Sequence, residues 1–176
     1  MPPPRLLTLP NLLSFSRVPL AVAFVMADRT PTKVALVGAA SITDILDGWL
    51  ARRGQTTQLG ALLDPIADKT FVLAALSSFL FAGVLSVRDY FIVLSRDFGA
   101  AIGFLVAYLL PGLDPGRFTA RLSGKVVTSL QLAVLFVLVL RPQWMRWAIW
   151  PIAAASLWAI TDYTLQLHRE RVRSRM

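Results

Sequence analysis

The sequence predicts an all-α integral membrane protein of six transmembrane helices with a cytoplasm-facing polar cavity. Three observations carry that expectation. Of its 176 residues, 56% are hydrophobic and only 16% charged, with a positive mean hydropathy, a balance far from that of an ordinary soluble domain. The apolar residues gather into six runs of about 17 to 25 residues, the length that crosses a bilayer as a helix. Of the ten acidic residues, four (Asp44, Asp47, Asp64 and Asp68) fall near the facing ends of the second and third runs.

The runs lie near residues 11–27, 34–52, 59–84, 88–110, 122–140 and 145–167, and read as a single membrane domain over 1–176. The first starts after Pro10-Asn11 and leads straight into further spans, without a short hydrophobic region ahead of a cleavage site, so a retained N-terminus is expected. Arg5 to Leu9 ahead of it reads as a short amphipathic piece along the interface. Arg29-Thr30-Pro31 separates the first two runs, Arg53-Gly54-Gln55-Thr56-Thr57 the second and third, and Pro111-Gly112-Leu113-Asp114-Pro115-Gly116 opens the connection from the fourth to the fifth. No internal repeat is visible.

With six spans both termini share one side. That side carries Arg5, Arg52, Arg53, Arg117, Arg121, Lys125 and the four arginines from Arg169 to Arg175. The other side carries Arg29, Lys33, Arg88, Arg141 and Arg146. The excess places the termini, the second and fourth loops and the acidic cluster in the cytoplasm, in a protein of the cell inner membrane. Trp144, Trp147 and Trp150 fit an aromatic belt at the opposite face or lipid-facing bulk. The net charge of +8 does not signify nucleic acid, because the basic residues flank apolar runs and form no stripe. With no cysteine, disulfides, thiolate metal sites and cysteine nucleophiles are excluded.

Carboxylates inside membrane helices are costly and face a bundle interior or a polar cavity where a partner exists. Asp44 and Asp47, three apart, share one helical face, and Gly60, Asp64 and Asp68, at four-residue spacing, share another. Antiparallel helices joined by a short loop bring both faces together, and Arg52 and Lys69 alone do not balance four carboxylates. Divalent cations supply the missing charge. All-oxygen ligation with no nearby His or Cys favours Mg2+ or Mn2+ over zinc, and His168, the one histidine, reads as a surface residue. Gly48, Ala51 and Gly60 remove bulk beside the acids, which serves ligand access or close helix packing equally. Pro65 after Asp64 implies a kink, or a local distortion opening the site. A divalent-cation channel or transporter is the competing class, since intramembrane acids also mark ion pathways. It accounts for the aspartates and leaves Gly48, Ala51 and Arg52 unexplained.

The pattern Asp44-x2-Asp47-Gly48-x2-Ala51-Arg52-x7-Gly60-x3-Asp64-x3-Asp68 resembles the signature of the CDP-alcohol phosphotransferases. Pro10-Asn11-Leu12-Leu13 with Ser14 and Arg17 is similar to the family's first helix, Asp68-Lys69 to its third, and Gly124-Lys125-x2-Thr128-x2-Gln131 to the start of its fifth. The resemblance implies transfer of a phosphatidyl group from CDP-diacylglycerol to an alcohol with release of CMP, in a homodimer. It implies two divalent cations on Asp44, Asp47, Asp64 and Asp68, a nucleotide site lined by Gly48, Ala51, Arg52 and Gly60, and Asp68 as general base. A two-metal clamp neutralises the pyrophosphate and stabilises departing CMP while the carboxylate takes the acceptor's proton.

Two branches differ in the acceptor. Phosphatidylglycerophosphate synthases, which use glycerol 3-phosphate, usually carry Glu after the fourth-helix Arg, a second Arg one or two turns on, and a basic residue at the position of Val127. This chain has Ser95-Arg96-Asp97-Phe98, then Phe104 and Val127, so fewer cations face a phosphate. Ser-Arg-Asp, Thr119-Ala120-Arg121-Leu122 and Lys125-Val126-x-Thr128-x2-Gln131 look more like cardiolipin synthases, whose acceptor is phosphatidylglycerol. The acceptor-binding candidates are Arg17, Arg96, Arg117, Arg121 and Lys125. Loop charge that sets topology explains Arg117 and Arg121 at least as well, and an ion pair with neighbouring or facing acids is the structural reading of Arg96. Asp162 in the last run is equally ambiguous, and the basic tail marks the cytoplasmic side and touches anionic lipid.

Overall fold

The structure is a computed structural model that describes the backbone of residues 9–51, 58–109 and 122–173, and the side chains of residues 15–46, 69–103 and 123–165. Among the described residues six α-helices follow one another: α1 (Leu9–Met26), α2 (Thr30–Ala51), α3 (Gln58–Phe81), α4 (Val87–Leu109), α5 (Leu122–Leu140) and α6 (Met145–Arg173), with a 3-10 turn, Pro142–Trp144, ahead of α6. Among the described residues there is no strand. Each predicted run is a helix, and the differences at the ends have local causes.

α2 begins four residues earlier than its apolar run, at Thr30, because Pro31 is accommodated in a first helical turn whose N–H groups have no intrahelical acceptor. α3 stops three residues short of its run. Gly83 takes φ +70°, its N–H donates to the Leu80 carbonyl (3.0 Å), and the Val84 N–H reaches back to Phe79 (3.0 Å). This is a Schellman cap, which only a residue tolerant of left-handed backbone closes without strain. Ser86 caps α4, its Oγ accepting the Asp89 N–H at 3.1 Å. α3 continues through Asp64-Pro65 without a break. α6 runs on to Arg173, six residues past its expected end, because its charged tail contains no Gly or Pro to stop it.

The chain divides into two compact units. Unit 1 comprises Met1–Leu85 with Leu135–Pro142, and unit 2 comprises Ser86–Val134 with Gln143–Met176. In unit 1, α1 packs against both α2 and α3. Phe24 of α1 is fully buried and meets Phe71 and Phe79 of α3 edge-on, both at 5.8 Å between centroids, the arrangement that aromatic quadrupoles favour. Lys33 of α2 lays its ammonium over two of these rings, 5.5 Å from Phe24 and 5.2 Å from Phe79. In unit 2, α4 packs along α6, and Val127 of α5 is buried with Ala155 and Ala159 of α6. Gly99 lies 3.0 Å, measured from where a Cβ would stand, from the Ile160 side chain, so a small residue there sets how closely α4 approaches α6.

Large apolar side chains also stand on the outside, among them Met26, Ile45, Phe81 and Trp150, each at least two-thirds exposed. Hydroxyls fold back onto their own helices: Ser41 donates to the Val37 carbonyl, Ser95 to Ile92, and Thr161 to Leu157 and Trp158. A hydroxyl satisfied in this way needs no water. Ser123–Leu140 is the one helical stretch among the described residues that is long and apolar enough to cross a bilayer, with shorter apolar stretches at Phe15–Met26 and Lys69–Phe81.

Candidate functional site

The acidic site begins on α2. Asp44 stands in the second half of this helix, and its Oδ1 accepts a charge-assisted hydrogen bond from Arg17 Nη2 of α1 at 3.2 Å. The two ends of the pair differ in environment: the Arg17 side chain is 3% exposed and the Asp44 side chain 35%. α1 therefore supplies a buried cation that fixes one carboxylate oxygen, while part of the same carboxylate stays open to solvent. Arg17, an acceptor-binding candidate from the sequence, thus lies beneath an aspartate and is enclosed. Its partner is 27 positions away and was not legible from spacing; the signal that could have found it is that an arginine within an apolar helix requires an acid or a ligand.

Asp47, Gly48 and Ala51 continue along α2, and Gly60, Asp64 and Asp68 lie on α3. The structure gives their helical backbone, which keeps Asp44 with Asp47 and Asp64 with Asp68 on shared helical faces; their side chains lie outside the described residues, as does Arg52. The described part of the site therefore contains Asp44 alone of the four acids, and among the described residues no three acidic or histidine side chains come together. An all-oxygen carboxylate set suits a hard divalent cation, and an oriented and partly open Asp44 fits such a ligand.

A second polar cluster is built within unit 2. Arg96, midway along α4, donates from Nη1 to Asp97 Oδ1 at 3.0 Å and from Nη2 to the Tyr163 hydroxyl of α6 at 2.8 Å. Its guanidinium carbon lies 5.6 Å from the Tyr163 ring centroid. Gln131 of α5, fully buried, donates to Asp97 Oδ2 and to the Val93 carbonyl. Ser123 donates to Asp162 at 3.0 Å. The neighbouring acid that the structural reading of Arg96 required is thus Asp97, and Asp162 is engaged by a buried serine. Sequence reasoning singled out Gln131 only as part of a motif and missed Tyr163, whose aromatic body passes for ordinary helix packing. Lys125 is exposed on α5; Arg117 and Arg121 lie outside the described residues, as do Arg5 to Thr8 and the side chains of His168 and the basic tail.

What fold and sites define together is an all-helical protein with charged side chains inside apolar helices, acids on α2 and α3 and a mixed cation–acid cluster on α4 to α6. Residues 7–159 match the family model described as CDP-alcohol phosphatidyltransferase, and the chain belongs to that family. Over 103 residues it is 38% identical to a protein of Aquifex aeolicus named CDP-diacylglycerol--glycerol-3-phosphate 3-phosphatidyltransferase, covering 55% of this chain and 58% of the relative. It is 31% identical over 146 residues to a rat protein named cardiolipin synthase (CMP-forming), covering 75% of this chain and 48% of the relative. A Pectobacterium atrosepticum protein with the same name as the Aquifex relative is 35% identical over 152 residues, covering 77% and 78%. The chain thus spans about half to three-fifths of the length of the first two of these relatives.

Proposed function

We propose that this protein is an integral membrane enzyme that transfers the phosphatidyl group of CDP-diacylglycerol to an alcohol and releases CMP. The observation that carries the reading is the family match over residues 7–159, a span that contains all four aspartates of the motif. Six membrane spans, with both termini and the site on the cytoplasmic side of the inner membrane, are part of the proposal, as is a homodimer. Support for the membrane comes from the bilayer-length stretch in α5, the exposed large apolar side chains and the hydroxyls satisfied within their own helices.

Asp44, Asp47, Asp64 and Asp68 are the proposed holders of two divalent cations, Mg2+ or Mn2+, which when bound neutralise the pyrophosphate of the donor and the charge on departing CMP. Gly48, Ala51, Arg52 and Gly60 are assigned to the nucleotide. Arg17, enclosed under Asp44, serves as the counter-charge that keeps that carboxylate oriented. Asp68 takes the proton of the acceptor hydroxyl as its oxygen attacks the phosphorus bearing diacylglycerol, and the bridging P–O bond breaks toward CMP. No covalent enzyme intermediate is needed.

For the acceptor we favour phosphatidylglycerol, with Arg96, Lys125, Arg117 and Arg121 as its candidate contacts. Val127 is fully enclosed by apolar residues, so that position offers no cation, and Arg96 is already counter-charged by Asp97. A phosphodiester with one negative charge asks less of such a site than a phosphate monoester with nearly two. Glycerol 3-phosphate is the second reading, favoured by the names of the Aquifex and Pectobacterium relatives. The test is CMP release by the purified protein with Mg2+ or Mn2+, offering phosphatidylglycerol, glycerol 3-phosphate and inositol phosphate separately and identifying each lipid product. Cardiolipin is expected; phosphatidylglycerophosphate would move the acceptor to the second reading. Ion flux in proteoliposomes with no CMP from any acceptor would replace the enzyme by a cation transporter.

A further inference from the structure

The Arg96 guanidinium is held more elaborately than a counter-ion needs. Asp97 supplies the negative charge at 3.0 Å. The second contact, Tyr163 Oη at 2.8 Å, adds no charge; it comes from a different helix and fixes the direction of Nη2. The tyrosine ring lies against the guanidinium as well, a geometry that restrains its rotation. Arg96 Nε is buried and has no hydrogen-bond partner among the described residues, so the described residues leave the donor set of this guanidinium incomplete.

The meeting of these two side-chain ends depends on Gly124 of α5. A Cβ at that position would stand 2.6 Å from Tyr163 Oη and closer still to Arg96 Nη2, with Arg96 Cζ at 3.3 Å. Its backbone is helical and its carbonyl accepts the Thr128 hydroxyl at 3.2 Å, so no unusual φ calls for glycine here. What calls for it is the space, filled by the hydrogen-bonded tips of Arg96 and Tyr163. Both tips can move, so a methyl group there displaces the guanidinium and leaves the helices in place.

We propose that Tyr163 and Gly124 are positioning residues for Arg96, the tyrosine aiming one guanidinium nitrogen and the glycine keeping open the gap in which it is aimed. The ligand served is an oxyanion of the phosphate class on the acceptor, either the phosphodiester of a lipid headgroup or the free phosphate monoester of a small polyol. The inference rests on the reading above that Arg96 engages the acceptor, and nothing in it requires Tyr163 or Gly124 to touch substrate.

The test is steady-state kinetics of the full chain in mixed micelles with CDP-diacylglycerol, titrating phosphatidylglycerol and, separately, glycerol 3-phosphate, for Tyr163→Phe, Gly124→Ala, Arg96→Lys and Tyr163→Phe combined with Arg96→Lys. Loss of a hydrogen bond to a charged group predicts a rise of about tenfold in the KM of the acceptor used for Tyr163→Phe and for Gly124→Ala, with kcat and the KM for CDP-diacylglycerol within about twofold. In the Arg96→Lys background, Tyr163→Phe should add less than about twofold, since both changes act through the same guanidinium. The acceptor whose KM moves identifies the source of the phosphate. An unchanged acceptor KM in Tyr163→Phe, with a raised one in Arg96→Lys, overturns the positioning role and leaves the reading of Arg96 intact. An unchanged acceptor KM in Arg96→Lys overturns the reading on which the inference rests. A lowered melting temperature with unchanged KM in Tyr163→Phe makes the contact structural and also overturns it, so a failure of Gly124→Ala to fold leaves the question decided by the tyrosine.

Discussion

Replacing Arg17 by Gln removes the cation buried under Asp44 and leaves a carboxylate facing an apolar helix. Breaking a fully buried ion pair by deleting one partner costs about 3–5 kcal/mol, whereas an exposed pair contributes about 0–1 kcal/mol. The pair here lies between these limits, with its Arg17 side chain 3% exposed and its Asp44 side chain 35%, and we expect a loss of about 2 kcal/mol. For a chain of this length that corresponds to roughly 4–8 °C in melting temperature. The assay is thermal unfolding of the purified protein in detergent with chelator present, for Arg17→Gln, Asp44→Asn and the double variant. The double variant should recover about 2 kcal/mol relative to the sum of the singles, because it removes both charges together. If Asp44 holds a divalent cation, replacing the chelator by Mg2+ should also raise the melting temperature of Arg17→Gln more than that of the unaltered chain, the bound ion taking over the missing counter-charge. A coupling below about 0.5 kcal/mol would refute the argument that Arg17 exists to hold Asp44.

Asp68→Asn should largely abolish CMP release while leaving part of CDP-diacylglycerol binding, measured by isotope-labelled donor in micelles; unchanged turnover would remove Asp68 from the mechanism. EDTA should stop CMP release by the unaltered chain, with recovery on adding Mg2+ or Mn2+. Gly83→Val forces a β-branched residue into the left-handed cap of α3 and should cost about 1–2 kcal/mol, visible as a lower melting temperature with acceptor KM unchanged. Gln131→Leu withdraws the donor shared by Asp97 and the Val93 carbonyl and should destabilise by about 1–3 kcal/mol, read by thermal unfolding.

The six helices were legible because each coincides with a long, predominantly apolar run of the sequence, and this signal survives ignorance of every contact. Their ends were less so. The Phe81-Ala82-Gly83-Val84 stretch continues the apolar run, so composition carries α3 past the point where the Gly83 cap turns the chain. The start of α2 was hidden for the converse reason: Thr30 and Pro31 read as a loop, although a first turn accommodates both. In the acidic site, spacing put Asp44 among the candidate residues, while Arg17 was singled out as an acceptor-binding candidate and not as the partner of that aspartate. Arg96 was recognisable as costly, and Asp97 beside it as a counter-ion. Tyr163 is 67 positions from Arg96 and resembles any aromatic packing residue, so no local pattern connects the two.

Lys33 lies over Phe24 and Phe79, eleven positions before Asp44 on the same helix, which at 1.5 Å per residue is about 16 Å along its axis. One end of unit 1 is therefore fastened by a cation against aromatic faces, and the other presents carboxylate. Divalent ions compete for carboxylates and have little hold on a lysine seated on benzene rings. If Asp44 holds a divalent cation, raising the magnesium concentration loads the acidic end without loosening the far clasp, and α1, α2 and α3 retain one anchor that is indifferent to the occupancy of the other.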